Sequence, residues 1–117
     1  MHRIHYGAVA YLTGDEIARA VLDYAAVLVR TGDADVVALP VREPDHSLRE
    51  VRMLLGVGMP IAATDIGPGN PEELHDEVLI ADLGRRTAAR RHTVRSLTPQ
   101  EVGDLSASAD GFDDLEY

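Results

Sequence analysis

Histidines and carboxylates are the residues here best suited to holding a metal or moving a proton, and their spacing suits neither task. The five histidines stand at 2, 5, 46, 75 and 92. His2 and His5 are three apart in a strand-like stretch, so they point to opposite faces and cannot chelate together. Glu72 and His75 share one helical face, but no second ligand pair at helical spacing completes a site. The acids at 72, 73, 76 and 77 are accounted for by the positive end of a helix dipole. Gly67-Pro68-Gly69 precedes a helix, yet it lacks the spacing of a phosphate-cradling loop, and three nearby acids would repel phosphate. Ser47, Ser96, Ser106 and Ser108 fall in turns or the tail, none in a nucleophile elbow. Without cysteine or lysine, thiolate and Schiff-base chemistry are excluded. No catalytic set, metal or cofactor is expected.

Charge is better organised. Arg85, Arg86, Arg90, Arg91 and Arg95 form a basic run with no acid among them. From Glu101 to Tyr117 there are six acids and no base. Cations at a helix C-terminus complement its dipole, which is a sufficient account of the arginines. They also make a patch onto which Asp113, Asp114 and Glu116 could fold across the intervening chain. Within the acidic stretch stand Phe112, the chain's single phenylalanine, then Leu115 and Tyr117. Apolar anchors among acids resemble a short docking motif, so Phe112, Asp113, Asp114, Leu115 and Tyr117 are the candidate partner-binding residues.

The 117 residues suit one domain, and the net charge is −9. Hydrophobic residues make up 45% and aromatics 4%, so the core must be aliphatic. All eleven cations are arginine, as GC-rich bacterial coding would give. The acidity disfavours nucleic acid, because phosphate needs a cationic surface. No apolar run reaches the ~20 residues a membrane span requires, and the opening residues are not expected to act as a signal peptide, since no apolar core follows them. A cytoplasmic location is the expectation.

The elements that must position these groups read as follows. Residues 3–12 alternate, with Ile4, Tyr6, Ala8, Ala10 and Leu12 on one face and Val9 and Tyr11 on the other. Thr13 and Glu16 form a capping box for a helix over 14–31, with Gly32 as its left-handed cap. That helix is apolar over more than half its girth, so Leu22 and Val29 need a cover. Residues 36–42 and 48–55 make a hairpin, with Pro40 suggesting an edge or a bulge there. Residues 59–64 add a strand. Asn70 and Pro71 mark the start of a second helix running to Arg91.

The order β-α-β-β-β-α predicts an α+β fold: a mainly antiparallel sheet with helices on one face over residues 1–95. A short helix and an acidic tail follow over 96–117. The far sheet face, with Val9, Tyr11 and Leu54, and the helix residues Leu22 and Val29 are candidates for self-association as a homodimer. The leading expectation is a protein-binding module of the inhibitor, immunity or adaptor kind, without catalysis. The alternative is a dimeric small-molecule-binding domain or small enzyme. Its pocket between sheet and helices would use Tyr6, Tyr11, Tyr24, His5 and Arg52.

Overall fold

The computed structural model describes residues 1–67 and 73–95, and side chains as far as Arg91. Among the described residues, five antiparallel strands and two helices form an α+β domain. In chain order they are β1 (His2–Tyr6), β2 (Val9–Thr13), α1 (Asp15–Thr31), β3 (Ala34–Arg42), β4 (Leu48–Gly56), β5 (Ile61–Asp65) and α2 (Glu77–Arg95). The sheet order is β4-β3-β2-β1-β5.

The first strand is folded in two. Gly7 adopts φ 61°, which a residue without Cβ tolerates, and with Ala8 it turns the chain between β1 and β2. The sequence hides this turn because Val9, Ala10, Tyr11 and Leu12 are all apolar or aromatic, so the one-residue phase shift that a two-residue turn imposes leaves no polar mark. The reversal changes the facing of β2. Tyr11 lies opposite Ile4 and Val9 opposite Tyr6, so both stand on the helix-facing side. The assignment of Val9 and Tyr11 to the far face is corrected accordingly. Ala10 and Leu12 take their place there.

The sheet is built from two ribbons. β2 and β3 pair at Leu12 opposite Arg42, reinforced where the Thr13 hydroxyl donates to the Pro40 carbonyl at 2.7 Å. β3 is therefore interior rather than an edge, and Pro40 stands where its ladder to β2 gives out. At the other end, residues 57–60 join β4 to β5, the two outermost strands. There the Tyr6 hydroxyl of β1 donates to the Leu54 carbonyl of β4 at 2.6 Å. Strands at opposite ends of the order thus approach each other. The sheet curls, and α1 lies along it, touching β1, β3, β4 and β5.

The core follows from period. Ile17, Val21, Tyr24 and Leu28 of α1 are buried against Ile4, Val37, Leu39, Val41, Met53 and Leu55. Each fully buried aliphatic side chain contributes about 1.5–3 kcal/mol of transfer free energy. Gly32 closes α1 with φ 67°, its amide and that of Asp33 bonding back to Val29 and Leu28.

The start of α1 is not capped as the local pattern suggests. Thr13 is the last residue of β2 and faces inward, so its hydroxyl goes to Pro40. Glu73, 58 residues on, accepts the Asp15 amide instead. Residues 73–76 are consequently not helical, and α2 begins at Glu77 rather than near residue 70. Asp76 caps it, its carboxylate accepting the Leu79 amide at 3.0 Å. Asn70 and Pro71 lie outside the described residues. The two helices run parallel: His75 sits beside Glu16 at one end, and Arg90 pairs with Asp33 at the other.

Candidate functional site

Angular position around α1 decides which side chains stay open. At 100° per residue, Ala20, Tyr24 and Val27 face α2, while Ile17, Val21 and Leu28 face the sheet. Leu22, Ala26 and Val29 fall on the remaining flank, which neither covers. That flank forms one wall of an apolar groove of ≈ 370 Å³. Leu55, Gly56, Met59 and Ile61, from the junction of β4 and β5, form the other. Val29 is 52% exposed, and Val57 projects from the β4–β5 turn. On the opposite sheet face Val36 and Leu54 stand directly across from each other, each about half exposed. Val29 and Leu54 are thus exposed and Leu22 is half-buried; Val9 is exposed at the hairpin end, and Tyr11 packs against the core.

The five arginines do not form one open patch. Arg86 bonds Asp35 at 3.1 Å and Asp82 at 2.8 Å, and Arg90 pairs with Asp33. Both guanidinium groups lie about 6 Å from the centre of the Tyr24 ring. Arg85 is exposed beside Asp82, and Arg91 is exposed. The side chain of Arg95 lies outside the described residues. The Tyr24 hydroxyl bond holds the Asp35 carboxyl below the usual range, helped by the Val36 amide and the two arginines. Burial, then the neighbouring Asp35, pushes the Tyr24 hydroxyl up.

A third cluster gathers where β1, β5 and α1 meet. His2 Nδ1 lies 2.6 Å from Asp15 Oδ1. The Met1 ammonium lies 2.8 Å from the same oxygen and 3.0 Å from Glu73 Oε1. The ammonium, then His2, lowers the Asp15 pKa; Asp15 in turn raises that of the ammonium. Asp65 completes the group from the end of β5. His2 and His5 do point to opposite faces. The partners that reach His2 are 13 and 63 residues away, and only the sheet register could have revealed them.

The remaining pocket candidates are dispersed. Tyr24 is enclosed in the arginine network, Tyr6 bonds β4, and Tyr11 faces α1. His5 and Arg52 stand exposed on the far sheet face. The proposed docking residues Phe112, Asp113, Asp114, Leu115 and Tyr117 lie outside the described residues. Among the described residues, no helix is long and apolar enough to cross a membrane. No protein-family model matches the chain, and no curated protein or solved structure matches it.

Proposed function

We infer that the chain is a protein-binding module with no chemistry of its own, docking a partner's apolar side chains in the groove along α1. The observation that carries this reading is the uncovered flank: Val29 and Ala26 open to solvent and Leu22 half-buried, beside Met59 and Ile61. A groove of ≈ 370 Å³ has room for one or two large side chains, and its lining is apolar throughout, without the convergent polar groups that orient a small ligand. The unopposed acids beyond residue 100 favour a partner whose anchor is flanked by basic residues. Their field would speed encounter, while the groove would set lifetime.

The test compares wild type with the Ala26→Glu/Val29→Glu variant, at two exposed positions of the groove wall. Both substitutions introduce charge on an already open flank, so circular dichroism and melting should change little. Partners captured by the wild type should be lost by the variant, and capture should weaken with salt. Sedimentation over a wide concentration range separates self-association from a distinct partner. Undiminished capture by the variant would remove the groove from the function.

A further inference from the structure

His2, Asp15 and Asp65 come from three elements whose positions are fixed independently. His2 opens β1, and its side chain shares the inward face of Ile4. Asp65 ends β5 directly opposite His2 in the β1–β5 ladder. Directly opposed residues carry Cβ atoms roughly 4.5–5.5 Å apart. On its other side His2 is opposite Thr13, which ends β2 two residues before Asp15. Asp15 occupies the first helical position of α1. The register on both sides of β1 therefore delivers an imidazole and two carboxylates to one end of the sheet.

Each acid has a local reason to be present. Asp15 suits the first turn of a helix, and Asp65 accepts the Gly67 amide at 2.8 Å. Neither reason requires them to converge with a histidine. Yet one candidate ligand atom from each of the three lies within 4.8 Å of the others. Glu73 approaches the same corner from another part of the chain. Three carboxylates thus meet one ammonium and one imidazole, a local excess of negative charge beside a nitrogen ligand.

We propose that His2, Asp15 and Asp65 bind a divalent cation of the first transition row. An imidazole nitrogen with two carboxylate oxygens suits zinc, cobalt or manganese. Magnesium and calcium prefer all-oxygen shells, and soft monovalent copper wants sulfur. Such ions sit ~2.0–2.2 Å from nitrogen and oxygen ligands. Ligand atoms around such an ion stand about 3–3.5 Å apart, so His2 and Asp15, now 2.6 Å apart, must separate slightly while Asp65 draws in. Their partly exposed side chains have room to do so by rotation about χ1 and χ2. The ion would stand between His2 and Asp15, replacing their direct contact with nitrogen–metal–oxygen bonds. Three protein ligands leave further positions for water, so the site is open to solvent. This site is independent of the docking groove.

The test uses the full chain without a histidine tag. Zinc is titrated by calorimetry, and cobalt by visible absorption. One equivalent should bind. His2→Ala and Asp65→Asn should each weaken zinc by at least about tenfold, and the double variant should abolish uptake. Asp65 is exposed and His2 is half-buried, so circular dichroism verifies the fold of each variant. His75→Ala is the control, because His75 lies 3.7 Å from both Glu16 and Glu77 and could collect metal itself. Its loss should change nothing. Absence of zinc uptake overturns the proposal. So does uptake that survives in the His2→Ala/Asp65→Asn variant, or that depends on His75.

Discussion

The Tyr24 hydroxyl donates to Asp35 Oδ2 at 2.5 Å, and this one bond joins α1 to the start of β3. Arg86 of α2 reaches the same oxygen, so three elements meet on a single carboxylate. Tyr24 is 1% exposed, and a hydroxyl so deeply placed must find a partner. Tyr24→Phe should therefore cost about 1.5–3 kcal/mol, the range for hydrogen bonds to charged groups. Asp35→Ala should cost more, because it leaves the hydroxyl unpaired and removes the acceptor of Arg86. A double-mutant cycle by urea unfolding should show the two effects to be less than additive. Strict additivity would mean that the bond does not couple the elements.

The same carboxylate gives stability a pH dependence with a definite sign. Asp35 is held below its ordinary range by the Tyr24 bond, and Asp15 by the Met1 ammonium and His2. In the unfolded chain both return to roughly 3.9. At acid pH the unfolded state binds more protons, so stability rises with pH. These contributions are complete above the unfolded value and vanish as pH falls through the lower folded values. Unfolding free energies measured from neutral pH down to pH 3 should fall along this limb. Asp35→Asn should flatten it. An unchanged slope in that variant would assign the acid sensitivity to other carboxylates.

Where local pattern governs, the chain is readable. The stripe Ile17, Val21, Tyr24 and Leu28, the left-handed Gly32 and the inward set Val37, Leu39 and Val41 follow from period and cap chemistry. Where long-range contacts compete with local ones, the pattern misleads. Thr13 looks like a cap but ends a strand, and Glu73 looks like the first turn of α2 but serves α1. The turn at Gly7 shifts the alternation by one residue, but the run Val9 to Leu12 is apolar or aromatic in either phase and shows no mark of it. The uncovered flank was legible as excess apolar girth, since one sheet face and one neighbouring helix cannot surround α1. The meeting of His2 with Asp65 was not, because it depends on which strand lies beside β1.

The close passage of residues 73–74 over the start of α1 makes Gly14 irreplaceable. A Cβ at Gly14 would stand 1.7 Å from the Leu74 carbonyl oxygen, a backbone atom that cannot rotate away. The backbone angles there suit any residue, so the restriction is purely one of space. Gly14→Ala should push the 73–74 segment off the helix, breaking the Glu73 cap and exposing Leu74. The expected cost is about 2–4 kcal/mol, combining a lost cap with overpacking. A melting point within a degree or two of wild type would mean that the segment moves freely.

Groove and acidic segment should separate kinetically in partner binding. Val29→Glu places a charge where apolar contact would form, so it should chiefly raise the dissociation rate. Deleting residues 106–117 removes four of the six unopposed acids together with Phe112, Leu115 and Tyr117. If those acids act by steering, the deletion should slow association several-fold at low salt and flatten its salt dependence. Phe112→Ala keeps every charge, so it distinguishes the two uses of the segment. Equal dissociation rates for Phe112→Ala and wild type would leave the segment a steering role alone. A faster rate would make Phe112 a second anchor beside the α1 groove. Surface plasmon resonance at two salt concentrations resolves these outcomes, and identical kinetics for all variants would exclude both surfaces from the interaction.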